Sequence, residues 1–303
     1  MEKLGGFYME TMIPGLSIAA MVFSALVGIA VPVVLYIVFR KKGANHLPFW
    51  IGCITFVLFA FVLERLTLSV VMKTPFWTAV TGNLLLYGIV AGLFAGVFEE
   101  AGRFLAFKTV LRKKRGNDQN ALMYGAGHGG IEAILLLSLS MILNTVFSLQ
   151  YNAGIDSPFG GVNEAQALIN MPFWMLLMGA VERLAAITIH ISLSVLVWFA
   201  AKNGKRFWLF PLAILLHAFV DAVAVILSRS GVSVWIIEGA VYVIAIALVF
   251  LAIAVWKKNH TAQAEETPAL DAPEKTDDAA AEEAETVTQV VEEVAEDVSQ
   301  TLS

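Results

Sequence analysis

"TAVTGNLLLYGIVAGLFAGVFEEAGRFLAF", residues 78–107, carries only three charges along its length: Glu99, Glu100 and Arg103. As a helix rising ~1.5 Å per residue it outreaches the roughly 30 Å of bilayer hydrocarbon. The stretch therefore reads as a membrane span. Its three charges become the anomaly, because one charged side chain at the bilayer centre costs ~3 kcal/mol on insertion scales.

Working outward, six further runs share this character, at roughly 11–39, 48–72, 118–148, 172–201, 207–228 and 232–256. The whole chain of 303 residues is 58% hydrophobic and 15% charged, where soluble domains lie nearer half and a quarter. The expected fold is an all-α integral membrane protein, about seven transmembrane helices in a bundle. The first run is too long for a signal-peptide core and lacks a basic leader, so it is expected to be retained. A single cysteine, Cys53, excludes an intrachain disulfide and a cysteine-based metal site. No basic patch interleaved with aromatics exists for nucleic acid to bind. No segment outside the spans is large enough to hold a separate function.

Basic residues orient the bundle. Thirteen follow the first, third, fifth and seventh runs, among them Arg40, Lys41, Lys42, Arg112, Lys113, Lys202 and Lys257. The opposite side holds Lys3, Lys73 and Arg229. By the positive-inside rule the N-terminus lies outside and the C-terminus in the cytosol of a multi-pass cell-membrane protein. From about Asn259 the composition turns Ala-, Glu-, Asp- and Thr-rich with no aromatic residue. Such a segment buries too little to repay its ordering entropy. The chain thus divides into a membrane domain, 1–258, and an acidic cytosolic tail, 259–303, expected to be disordered.

Ionisable residues within the spans carry the functional information. The third span holds Glu99, Glu100 and Arg103. The fourth opens "MYGAGHGGIEA" with His128 and Glu132 four apart, and the sixth has "LLHAFVD" with His217 and Asp221 likewise. Positions four apart share a helix face. The fifth span contributes His190. Counted from the basic ends at ~1.5 Å per residue, Glu100, His128, His190 and His217 all lie about 15–18 Å deep. Four separate helices bringing ionisable groups to one level argues for a shared site. Taken singly, Glu99 or Glu100 with Arg103 also reads as a neutralising ion pair. The "GAGHGG" run likewise reads as a close helix contact. Glu64–Arg65 and Glu182–Arg183, nearer the outer side, read as structural pairs.

Two histidines, several carboxylates and an arginine in a membrane cavity suit hydrolysis. Two imidazoles and a carboxylate can hold Zn²⁺ at three corners, leaving the fourth to water. A neighbouring glutamate can then take the water's proton. Without metal, a Glu–His pair can activate water while His217 and Asp221 stabilise the oxyanion. The HExxH pattern is absent.

Three motifs in order, EExxR at 99–103, Tyr124-xxx-His128 and HxxxD at 217–221, resemble the superfamily of CAAX prenyl proteases type II, abortive-infection proteases and PrsW proteases. FEEAGR followed by GHGGIEA most resembles the YhfC family of intramembrane metalloproteases, over about residues 10–256. The resemblance implies Glu99 and Glu100 as catalytic glutamates, with Arg103 neutralising or orienting one of them. It implies His128 beside the activated water, and His217 with Asp221 completing the site. It favours one zinc held by His128, His217 and a carboxylate from Glu132 or Asp221, with His190 as an additional candidate. Arg103 departs from EExxxR and agrees with the PrsW form EExxK, and Tyr124 stands where the prenyl proteases carry Phe. The expected partners are the bilayer and a membrane-protein or lipidated-peptide substrate, reached through a lateral or cytosolic opening. A transporter or a silent scaffold would use the same polar centre. A transporter needs a pathway to both faces, and the chain shows no inverted repeat.

Overall fold

The computed structural model of the protein describes residues 12–260. Lys3 and the acidic stretch after His260 lie outside them. Seven described helices are long and apolar enough to cross a membrane: Gly15–Lys41, Leu47–Val71, Leu84–Lys108, Gln119–Asn152, Phe173–Lys202, Gly204–Arg229 and Val234–Asn259. No strand occurs among the described residues. We number these spans one to seven, and call the end after spans one, three, five and seven the basic end.

The seven expected runs correspond to these helices, with shifted ends. The third span starts at Leu84 instead of near residue 78. Asn83 leaves the helical conformation and its side chain accepts a hydrogen bond from Leu86 N at 3.1 Å, an N-cap that satisfies an otherwise orphaned donor. Residues Pro75–Thr81 form a short helix of their own. A second short helix, Val162–Asn170, lies between spans four and five.

The fifth span is the axis of the bundle. Of its most apolar window 78% is buried, against 28–33% for the other six. Those six turn residues such as Phe23, Leu66, Leu93, Leu215 and Phe250 outward. An apolar surface continuing around a whole bundle suits lipid as its solvent, not water.

Small residues set how closely the helices cross. A Cβ on Gly125 would stand 2.6 Å from the Ile191 Cα, and one on Gly129 would stand 3.0 Å from the Ile187 Cα. On the opposite flank, a Cβ on Gly127 would run into the backbone of Phe49. The GAGHGG run is thus wedged between the second and fifth spans at backbone contact, and His128 is carried into the interior. Two stretches of wider π-helical winding, Val57–Glu64 and Ile134–Ser138, interrupt the second and fourth spans. Such interruptions often flank functional sites.

On the basic side of the histidines the interior is filled with rings. Phe107, Tyr124 and Trp198 are fully buried. Phe107 meets Tyr124 and Trp198 edge-on at 4.5 and 5.0 Å, and Phe104 stacks on Phe210 at 4.4 Å. Asp118 anchors this layer. Its carboxylate accepts from Trp198 Nε1 at 2.9 Å and Lys202 Nζ at 2.6 Å, and lies 2.9 Å from His260 Nδ1.

Candidate metal centre and ionisable cluster

Glu99 is the hub. Its Oε2 lies 2.8 Å from His128 Nε2, 3.9 Å from His190 Nδ1 and 3.9 Å from His217 Nε2. Third, fourth, fifth and sixth spans thus deliver one side chain each to the same point, as the common depth suggested. Glu99, His128, His190 and His217 are all buried.

Each histidine outside the fourth span is backed by a carboxylate. His217 Nδ1 lies 2.7 Å from Glu100 Oε1, and Arg103 pairs with that same oxygen. His190 Nε2 lies 2.5 Å from Glu132 Oε2. When each carboxylate holds the distal N–H, the tautomer is fixed and the other ring nitrogen presents a lone pair. Those other ring nitrogens, His190 Nδ1 and His217 Nε2, are the two that face Glu99, although Arg103 also approaches His190 Nδ1. One donor atom from each of Glu99, His190 and His217 falls within 4.8 Å of the others. A nitrogen–nitrogen–oxygen donor set of this kind suits Zn²⁺ better than Mg²⁺ or Ca²⁺, which prefer oxygen shells. The residues present therefore fit a divalent transition metal.

Adjacent helix turns do not decide every pairing. Asp221 Oδ2 lies 3.5 Å from His217 Nε2, as their spacing on one face implies. Glu132 turns away from its own-helix neighbour His128 to His190, and its other oxygen accepts from Arg183 Nη1 at 2.5 Å. His128 takes Glu99 instead, and its Nδ1 is buried with no hydrogen-bond partner. The expected set of His128, Glu132 and His217 is thus gathered into one cluster. The donors turned towards one another, however, are Glu99, His190 and His217. Arg103 pairs with Glu100 as expected and also reaches across, its Nη2 3.2 Å from His190 Nδ1. Phe56 meets the His128 ring edge-on at 5.3 Å and holds its orientation.

Two hollows lead to the cluster. One, of about 110 Å³, is lined by Glu99, Glu132, His190, His217 and Asp221, with Glu182 and Arg183 at its far wall. The other, of about 480 Å³, runs from Glu99 and Glu132 along the second span past Ala60, Glu64 and Arg65 to Met72. Sequence reasoning set Glu64, Arg65, Glu182 and Arg183 aside as structural pairs, yet all four line these spaces. For Arg183 a signal existed: it precedes His190 by seven residues, two helical turns, and so shares its face. Glu64 offered none, since its neighbours depend on the wide turn at 57–64.

The sequence pattern of the family described as YhfC intramembrane metalloprotease matches residues 27–243. The chain belongs to the YhfC family. It is 35% identical over 250 residues to a Bacillus subtilis (strain 168) protein described as uncharacterized membrane protein YhfC, covering 78% of this chain and 94% of the relative. No solved structure matches it. With seven membrane-length helices and a membrane-protein relative, this YhfC-family chain is a multi-pass membrane protein. The wider superfamily enters as a likeness of motifs alone.

Proposed function

We propose that the protein is an intramembrane peptidase, hydrolysing peptide bonds of membrane-associated substrates at the cluster around Glu99. One observation carries this reading: His190 and His217 each have a carboxylate beside one ring nitrogen and turn the other towards Glu99. A buried site arranged only for insertion would need its charges neutralised, not two imidazoles aimed at one point. The family's description as metalloproteases supports the same reading.

Glu99, His190 and His217 would hold the metal, most readily zinc. A bound divalent cation supplies a lowered water pKa and polarises a carbonyl. The protein's own groups do the rest. Glu100, fixed by Arg103, orients His217, and Glu132, fixed by Arg183, orients His190. His128 donates to Glu99 and holds its carboxylate in place. Asp221 opens onto the smaller hollow with 36% of its side chain exposed, and no arginine contacts it. It is the carboxylate free to take the proton from the attacking water and pass it to the leaving amine as the C–N bond breaks.

A metal-free reading keeps one observation in its favour. Arg103 Nη2 sits 3.2 Å from His190 Nδ1, a cation beside one of the three donors, and the Glu99–His128 pair at 2.8 Å can activate water directly. The deciding measurement is bound metal in purified protein, wild type against His190→Ala and His217→Ala, together with cleavage of a membrane reporter before and after phenanthroline. About one zinc per chain, lost in both variants, with activity removed by the chelator and restored by zinc, is the expected result. Full activity with no bound metal would leave the Glu99–His128 mechanism standing instead.

A further inference from the structure

The cluster is closed on one side and open on the other. Towards the basic end, every span carrying a site residue places a large ring within eight residues: Phe104 and Phe107 after Arg103, Tyr124 before His128, Trp198 after His190, Phe210 before His217. These rings pack against one another at 4.4–5.0 Å, and Phe107, Tyr124 and Trp198 have no exposed surface. Away from the basic end the pattern reverses. Both hollows that touch Glu99 extend only in that direction: Ala95, Glu64 and Met72 line the larger, Arg183 and Ala224 the smaller. Met72, at the far end of the larger one, also lines a surface depression with Lys73, Thr74, Pro75 and Thr78.

We infer that water and substrate reach the cluster from the membrane face opposite the basic loops, along the groove between the second, third and fourth spans. Resting on the peptidase reading, this names the substrate class: a membrane-inserted polypeptide that enters from that face and is cut near mid-membrane. It disfavours a peptide presented from the basic side, such as a lipidated tail tethered there. The groove's chemistry agrees. A helix unwound for cleavage exposes backbone N–H and C=O groups that hydrocarbon cannot satisfy, and Glu64, Arg65 and Ser69 line the wall along which it would lie. Its apolar side chains would meet Ala60, Leu68 and Leu136. From Ala60 to Met72 the second span rises about 18 Å at ~1.5 Å per residue. That length holds about five residues of extended chain at ~3.3 Å each, which puts the cut about five residues beneath the surface.

The test is the sidedness of thiol labelling in the full-length chain, read without any assay of cleavage. In a Cys53→Ser background, Ala95→Cys and Ala224→Cys report on the two hollows. Lys73→Cys and Lys113→Cys mark the face opposite the basic loops and the basic face. Intact cells and inverted vesicles are exposed to a membrane-impermeant cationic methanethiosulfonate, and remaining thiols are counted after denaturation. The expected result is that Ala95→Cys and Ala224→Cys are modified from the side that modifies Lys73→Cys and stay unmodified from the side that modifies Lys113→Cys. Modification from the Lys113→Cys side, from both sides, or from neither would overturn the inference. Should one hollow variant fail to reach the membrane, the other gives the same decision, and Ser69→Cys at the groove wall supplies a third. An inactive protein with the expected labelling would retain the access route and lose the peptidase reading. An active one labelled from the basic side would do the reverse.

Discussion

The half of the bundle nearer the basic loops and the half beyond it share the same seven helices and differ in what fills the space between them. In the first, Phe107, Tyr124 and Trp198 fill the interior with no exposed surface. Its one buried carboxylate, Asp118, is met by an indole, an ammonium and an imidazole. In the second, hollows of about 110 and 480 Å³ reach the ionisable cluster, and carboxylates such as Asp221 keep free surface. A close-packed layer gives the bundle a fixed geometry. A hollowed one forfeits packing and leaves room for a reacting molecule. The cluster sits at the boundary, held from the packed side and reached from the open one.

The two halves differ most in consequence at Glu99. The isosteric Glu99→Gln keeps volume and removes the anionic ligand oxygen, so hydrolysis of a membrane reporter should fall by at least about 10–100-fold, the loss that even outer-shell partners of a metal cause, with the thermal midpoint in detergent little changed. Near-normal turnover would show that the open half is not where the chemistry happens. Phe107→Ala tests the packed half. Removing a fully buried ring should cost about 3–5 kcal/mol of stability, read as a lowered unfolding midpoint in micelles, while the activity of the remaining folded protein persists. Asp118→Ala strands the Trp198 indole N–H and the Lys202 ammonium, which should cost about 1–3 kcal/mol with kcat unchanged. A fall in kcat instead would tie the packed layer directly to the reaction. The smallest effect is expected at Arg65→Met in the groove wall. Stability should change by no more than about 0.5 kcal/mol, as for most surface substitutions. The KM of a membrane substrate should rise a few-fold at constant kcat, the mark of lost uniform binding.

Much of this was readable from the sequence. Length and hydropathy defined seven spans, because a helix must be long and apolar to cross a bilayer whatever its neighbours do. Counting residues from the basic ends brought Glu100, His128, His190 and His217 to one depth, because helical rise is nearly constant. Less was readable where a local signal competes with a long-range one. One helix ends at Gly82 and Asn83 caps the next, inside what hydropathy alone reads as a single run. Glu132 lies four residues from His128 yet serves His190, since sharing a face does not fix which partner a neighbouring helix will offer.

The number of spans, the bias of basic loops to one end, and the inventory of ionisable groups with their depth thus follow from the amino-acid order alone. Those are properties of single helices, set by composition and rise per residue. Only the tertiary structure decided that Glu99 is the hub, that His190 stands with His217 ahead of His128 as its facing donor, and that the cluster opens away from the basic loops. Each depends on how far every helix is rotated about its own axis. That rotation is set by contacts between helices, such as Gly125 against Ile191 and Gly127 against Phe49, which no spacing within one span encodes.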